Sequence, residues 1–83
     1  MTGRIHVDFD AAEGAVLRMV GLVERRGFAV SGISMAALDG QGSLSLDVEP
    51  RDPGRRLDVI ANQLRRLHDV RNVSILSSAP GES

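Results

Sequence analysis

Hydrophobic and polar positions alternate strictly over "RIHVDF", residues 4–9. Ile5, Val7 and Phe9 share one face; Arg4, His6 and Asp8 share the other. A period of two with one apolar face predicts a strand that buries one side. The period then lengthens. In "DAAEGAVLRMVGLVERRG", Val16, Met19, Val20 and Val23 recur at i, i+3, i+4 and i+7, the stripe of an amphipathic helix. Asp10 and Glu13 have capping-box spacing at its start. Arg25 and Arg26 suit the negative end of the helix, and Gly27 is a natural stop.

"FAVSGISMAA", residues 28–37, predicts a second strand. After Phe28 it is lean: Ala29, Ser31, Gly32, Ser34, Ala36 and Ala37 offer little side chain to bury. Such a strand either meets another backbone or a ligand closely, or is a plain edge. "LDGQG" is a turn. "SLSLDVE", 43–49, alternates again, with Leu44, Leu46 and Val48 inward, so the second and third strands form a hairpin. Asp52 and Pro53 read as N-cap and first residue of a second helix. Its stripe is Leu57, Ile60, Ala61, Leu64 and Leu67. A last strand is expected at 70–77, with Val73 and Ile75 inward. The polar "SAPGES", 78–83, reads as a flexible tail behind a single domain of residues 1–77.

The order β-α-β-β-α-β predicts an α+β, ferredoxin-like fold. One four-stranded antiparallel sheet with both helices on one face buries every stripe at once. With 83 residues there is room for one domain, whose small core gains from association with a copy or a larger protein.

Composition narrows the chemistry. There is no cysteine, which excludes disulfides, thiolate metal sites and thiol nucleophiles. His6 and His68 stand apart with no motif joining them, and read as surface or capping residues. Asp8 and Asp47 fall on the same polar sheet face, which reads as solvated rather than as an acid/base pair. Ser43 and Ser45 have no evident base. No catalytic residue, metal site or cofactor is therefore assigned, and the chain is not expected to be an enzyme. The fold also carries RNA-binding domains. Those stack bases on sheet aromatics, which the third strand lacks, and the net charge is −1. Nucleic acid is not an expected partner. No run approaches a membrane span or a signal peptide, so a cytoplasmic protein is expected.

"EGAVLRMVGLVERRGFAV" resembles ACT domains, specifically the small regulatory subunits of acetolactate synthase. Gly14, Arg18, Gly21, Leu22, Arg25, Arg26, Gly27 and Phe28 fall at matching spacings. "RGFAVSGISMAA" and "QLRRLHDVRNVSI" are similar to segments of the short, isozyme II type. The likeness covers about residues 5–77. It implies a non-catalytic subunit that binds and activates the catalytic large subunit in branched-chain amino-acid biosynthesis. Thiamine diphosphate, FAD and magnesium would belong to that partner.

The resemblance also implies a homodimer joined edge to edge, with Ala29, Val30, Ser31, Gly32 and Ser34 on the paired strand. An effector, a branched-chain amino acid, would lie between the first loop (Ala11, Glu13, Gly14, Ala15) of one copy and Ala29 and Val30 of the other. Valine-sensitive relatives carry Asn where this chain has Ala11 and Ala29, so the amides that would hold an amino acid's charged ends are missing. The backbone N–H groups near Glu13, Gly14 and Ala15 remain as carboxylate donors. Arg18, Arg25 and Arg26 are the expected docking residues for the catalytic subunit. The alternative is a stand-alone ACT homodimer that senses a small amino-acid effector.

Overall fold

The structure is a computed structural model that describes residues 3–52, 54 and 56–77. The elements run β1 (Gly3–Asp10), α1 (Ala15–Arg25), β2 (Phe28–Leu38), β3 (Gln41–Pro50), α2 (Leu57–Arg65) and β4 (Val70–Ser77). They form one sheet in the order β2-β3-β1-β4. All neighbours are antiparallel. This is the ferredoxin-like fold that the hydrophobic pattern predicts. The tail at 78–83 lies outside the described residues, as does Pro53.

The alternation does the main work. Ile5, Val7 and Phe9 on β1 lie opposite Leu46, Leu44 and Gly42 on β3, and all six face the helices. Met19 and Val23 of α1 and Ile60, Ala61 and Leu64 of α2 close over them. Full burial of such a side chain stabilises by about 1.5–3 kcal/mol over exposure. Ala15 joins the buried set, while Val16 and Val20 are only partly covered, so the α1 stripe is rotated slightly from the expected one. Val73 is buried as expected. Ile75 faces the same side, opposite Ile5, but is 40% exposed because β4 has no neighbour beyond it.

Both helix starts differ from the sequence reading. Asp10 does not cap α1. It remains in β1, where its N–H donates to Asp69 O at 2.7 Å and its carboxylate accepts from Arg71 Nε at 2.6 Å. The N-cap is Gly14, left-handed at φ 80°, with no side-chain cap. Asp52 does not cap α2 either. Gly54, at φ 95°, is left-handed and cannot continue a right-handed helix. The helix begins at Leu57 behind an extended Arg56. The hairpin is as expected: Leu38 pairs with Gln41 across Asp39 (φ 52°) and Gly40 (φ 80°). Two consecutive positive φ angles match the right-handed twist of the flanking strands.

Gly42 carries a packing constraint. A Cβ there would lie 2.5 Å from the Phe9 ring. Gly42→Ala is expected to cost about 1–3 kcal/mol through overpacking, measured by urea unfolding. A stability within a few tenths of the unsubstituted chain would contradict this packing.

Candidate functional site

Two surfaces contain the expected effector and strand-pairing residues: the loop between β1 and α1, and the outer edge of β2. The loop is tied to the hairpin, because Ala11 N–H donates to Gly40 O at 2.9 Å. Ala12 N–H donates to Asp10 O at 2.7 Å. Ala11 and Glu13 are exposed and Gly14 is half-buried. Ala15 is buried, and its N–H already donates to Ala12 O at 3.1 Å, so it is not available as an anion donor.

Ala29 and Val30 are half-buried at the other end of β2, opposite Glu49 and Val48. The loop stands near the Leu38 end. Eight residue steps of strand separate Val30 from Leu38, about 26 Å at ~3.3 Å per residue. A single chain therefore does not bring the six effector-site residues together.

β2 is an edge strand. Its leanness has two sources. Ser31 is the extra residue of a bulge, between Val30↔Val48 and Gly32↔Asp47, and its Oγ donates to Asp47 O at 3.3 Å. Gly32 is small because Asp47 leans over it: a Cβ would lie 2.8 Å from Asp47 Oδ2. Asp47 is held in turn by Arg4 Nε at 2.6 Å, and that bond keeps the Arg4 guanidinium protonated to still higher pH than usual. Toward Leu38 the strand outruns its helical cover. Ile33 and Met35 lie opposite the buried Leu46 and Leu44, on the helix side, yet are 53% and 50% exposed. Leu17 on α1 and Leu38 are also exposed. An open backbone edge thus runs beside an apolar strip.

The three arginines have different surroundings. Arg18 pairs through Nη2 with Asp69, which is only 6% exposed and also lies 3.1 Å from His68 Nε2. The bridge fastens α1 to the turn before β4, which gives Arg18 a structural role within the single chain. Asp69 was not found by sequence reasoning; its one signal is the "HDVRN" interruption of apolar positions. Arg25 and Arg26 are exposed at the end of α1. Arg26 Nη2 donates to Gln63 Oε1 at 3.3 Å. With Phe28, Gly54, Arg56, Val59 and Ile60 they line a pocket of about 280 Å³. Arg56 in turn bonds Asp58 through two N–H groups at 3.1 Å and holds that carboxyl below its ordinary range.

The open face of the sheet is polar. His6 lies 3.3 Å from Ser45 Oγ and 3.2 Å from Asp8 Oδ1, and Ser43 Oγ donates to Asp8 Oδ1 at 3.3 Å. Ser45 Oγ thus stands against an imidazole nitrogen, a base that sequence reasoning did not find for it, and the group lies partly exposed on the open sheet face. Among the described residues no group of three or more ligating side chains could hold a metal ion. None of the described helices is long and apolar enough to cross a membrane.

The family model of the ACT domain matches residues 11–73. The fold is similar to the crystal structure of the ACT domain from GTP pyrophosphokinase of Chlorobium tepidum, at 18% identity and TM-score 0.77, covering 92% of this chain and 97% of that one. It is similar to the acetolactate synthase small subunit from Thermotoga maritima at 21% identity and TM-score 0.77, covering 96% of this chain but 50% of that one. An ACT domain protein from Streptococcus pneumoniae matches at 20% identity and TM-score 0.71, covering 90% and 89%. No curated protein sequence matches the chain.

Arg18→Ala would leave Asp69 buried beside only an exposed histidine. We expect a loss of about 1–3 kcal/mol in urea unfolding, below the 3–5 of a fully buried pair because Arg18 is 46% exposed. No loss would mean that the bridge is idle.

Proposed function

The chain belongs to the ACT-domain family, and on that premise we propose that it is a non-catalytic regulatory subunit that binds and activates the catalytic subunit of acetolactate synthase. It works as a side-by-side homodimer in the cytoplasm, in branched-chain amino-acid biosynthesis. ACT domains are regulatory units that commonly dimerise and bind amino-acid effectors. The observation that carries this reading is the β2 edge: eleven residues long, small in side chain, and flanked by exposed Ile33 and Met35. An edge of this kind invites a partner strand.

A two-fold pair runs the two β2 strands antiparallel. The Phe28 end of one copy then lies beside the Leu38 end of its twin, where the twin's first loop bonds its hairpin. Pairing would bring Ala29 and Val30 of one copy toward Ala11, Glu13 and Gly14 of the other, which a single chain keeps apart. The likeness to the Thermotoga maritima small subunit and the residue spacings from Gly14 to Phe28 support the choice of synthase. Thiamine diphosphate, FAD and magnesium belong to the catalytic partner. Arg25 and Arg26, exposed at the end of α1, are the docking residues that remain once Arg18 is committed to Asp69.

A second reading is a stand-alone ACT homodimer that senses an amino acid. The match of similar extent with the Streptococcus pneumoniae ACT domain protein favours it.

Acetolactate formation by the purified large subunit of the same organism, with this chain titrated in, separates the two. Saturable activation is expected, without valine inhibition, because Ala11 and Ala29 supply no amide. Reversing Arg25 and Arg26 to Glu should weaken the complex about tenfold, or ~1.4 kcal/mol. Absence of activation and of any complex would reject the subunit reading. Calorimetric binding of a branched-chain amino acid without the synthase would then support the sensor.

A further inference from the structure

The sheet has two edges, β2 and β4, and the protein treats them differently. Along β2, no side-chain bond to an outward backbone group occurs among the described residues. Along β4 one does. Arg65, in the last turn of α2, donates from Nη2 to Val73 O at 3.0 Å, while its Nη1 donates to Asn62 Oδ1 at 2.8 Å and steadies the guanidinium.

The register identifies which carbonyl this is. Asp10 N–H reaches Asp69 O, so even-numbered residues of β1 turn their backbone groups toward β4. Their partners, Asn72 opposite Asp8 and Ser74 opposite His6, turn inward in return. Val73, between them, is out of phase, and its carbonyl faces the open side. The β1–β4 register shifts twice, leaving Arg71 and Leu76 as extra residues. Bulges of this kind bend an edge and interrupt pairing, and β2 carries a single one, at Ser31. Without such devices β4 would be adhesive, since Ile75 and Leu76 are 40% and 54% exposed.

We propose that Arg65 is an edge guard: by occupying the outward carbonyl of Val73 it closes β4 to a further strand, so copies of this chain join only through β2. This rests on the β2 pairing proposed above. The strand kept out is β2 of a third copy. A β2-to-β4 contact is heterologous and adds units without closing, whereas β2-to-β2 closes at two. An arginine suits this task because a planar, always-charged fork can hold a carbonyl and a side-chain amide together, and its charge resists burial under an incoming strand.

Sedimentation velocity of the full chain over a range of concentrations tests the proposal, with Arg65→Ala, Arg65→Gln and the double variant Arg65→Ala, Leu76→Lys. Arg65 is exposed, so the core survives its loss, and two single variants protect against one failing to fold. The unsubstituted chain should run as one discrete species. Both single variants should be heavier and grow with concentration, and Leu76→Lys should restore the discrete species by placing a charge on the edge. An unsubstituted monomer whose single variants associate would uphold the guard while rejecting the β2 pair. Single variants equal in size to the unsubstituted chain would overturn it. So would growth that Leu76→Lys leaves unchanged.

Discussion

An open sheet has two rows of backbone N–H and C=O groups that no internal strand satisfies. The order β2-β3-β1-β4 leaves β2 and β4 outermost. Both helices lie on one face, so neither edge is wrapped. In the pairing proposed above, what covers β2 would decide whether the first loop and β2 form one site. In a single chain these surfaces stand at opposite ends of a strand.

The rest of the molecule holds those edges in place. Arg18 and the buried Asp69 bind α1 to the turn before β4, and Asp69 O receives the N–H of Asp10 at the end of β1. The start of α1, the end of β1 and the start of β4 are thereby locked at one corner. The first loop hangs from that corner and is bonded to the hairpin through Ala11 and Gly40. On the open face, Arg4 and Asp47 brace β1 against β3 while Asp47 presses on Gly32. The loop is therefore bonded to the same hairpin that ends the β2 edge.

The core was legible because burial imposes its period directly. Leu44, Leu46 and Val48, or Ile60, Ala61 and Leu64, could occupy few other places. The Asp-Gly turn was legible for the same local reason. The helix starts were not. Asp10 looks like a cap until its backbone and carboxylate are seen to be taken by Asp69 and Arg71, sixty residues away in the chain. Asp52 looks like a cap until Gly54 turns left-handed. Arg18 carried the family spacing but no hint that a buried acid would claim it. Small residues at Ser31 and Gly32 suggested a close partner strand, yet part of their smallness serves Asp47 of the same chain. Arg65 showed nothing in sequence, since a guard is defined by a backbone carbonyl that only the register exposes. The resemblance named the first loop and Ala29 and Val30 of β2 as one site, but a single copy keeps them apart.

The proposed pairing makes β2 the edge through which the domain meets its twin. Amide hydrogen exchange of the isolated protein, followed residue by residue across dilution, tests it most directly. Outward amides of β2 are expected to be protected at high concentration and to lose protection together as the protein is diluted, while those of β3 and β1 do not change. β2 amides that exchange at the same fast rate at every concentration would contradict it.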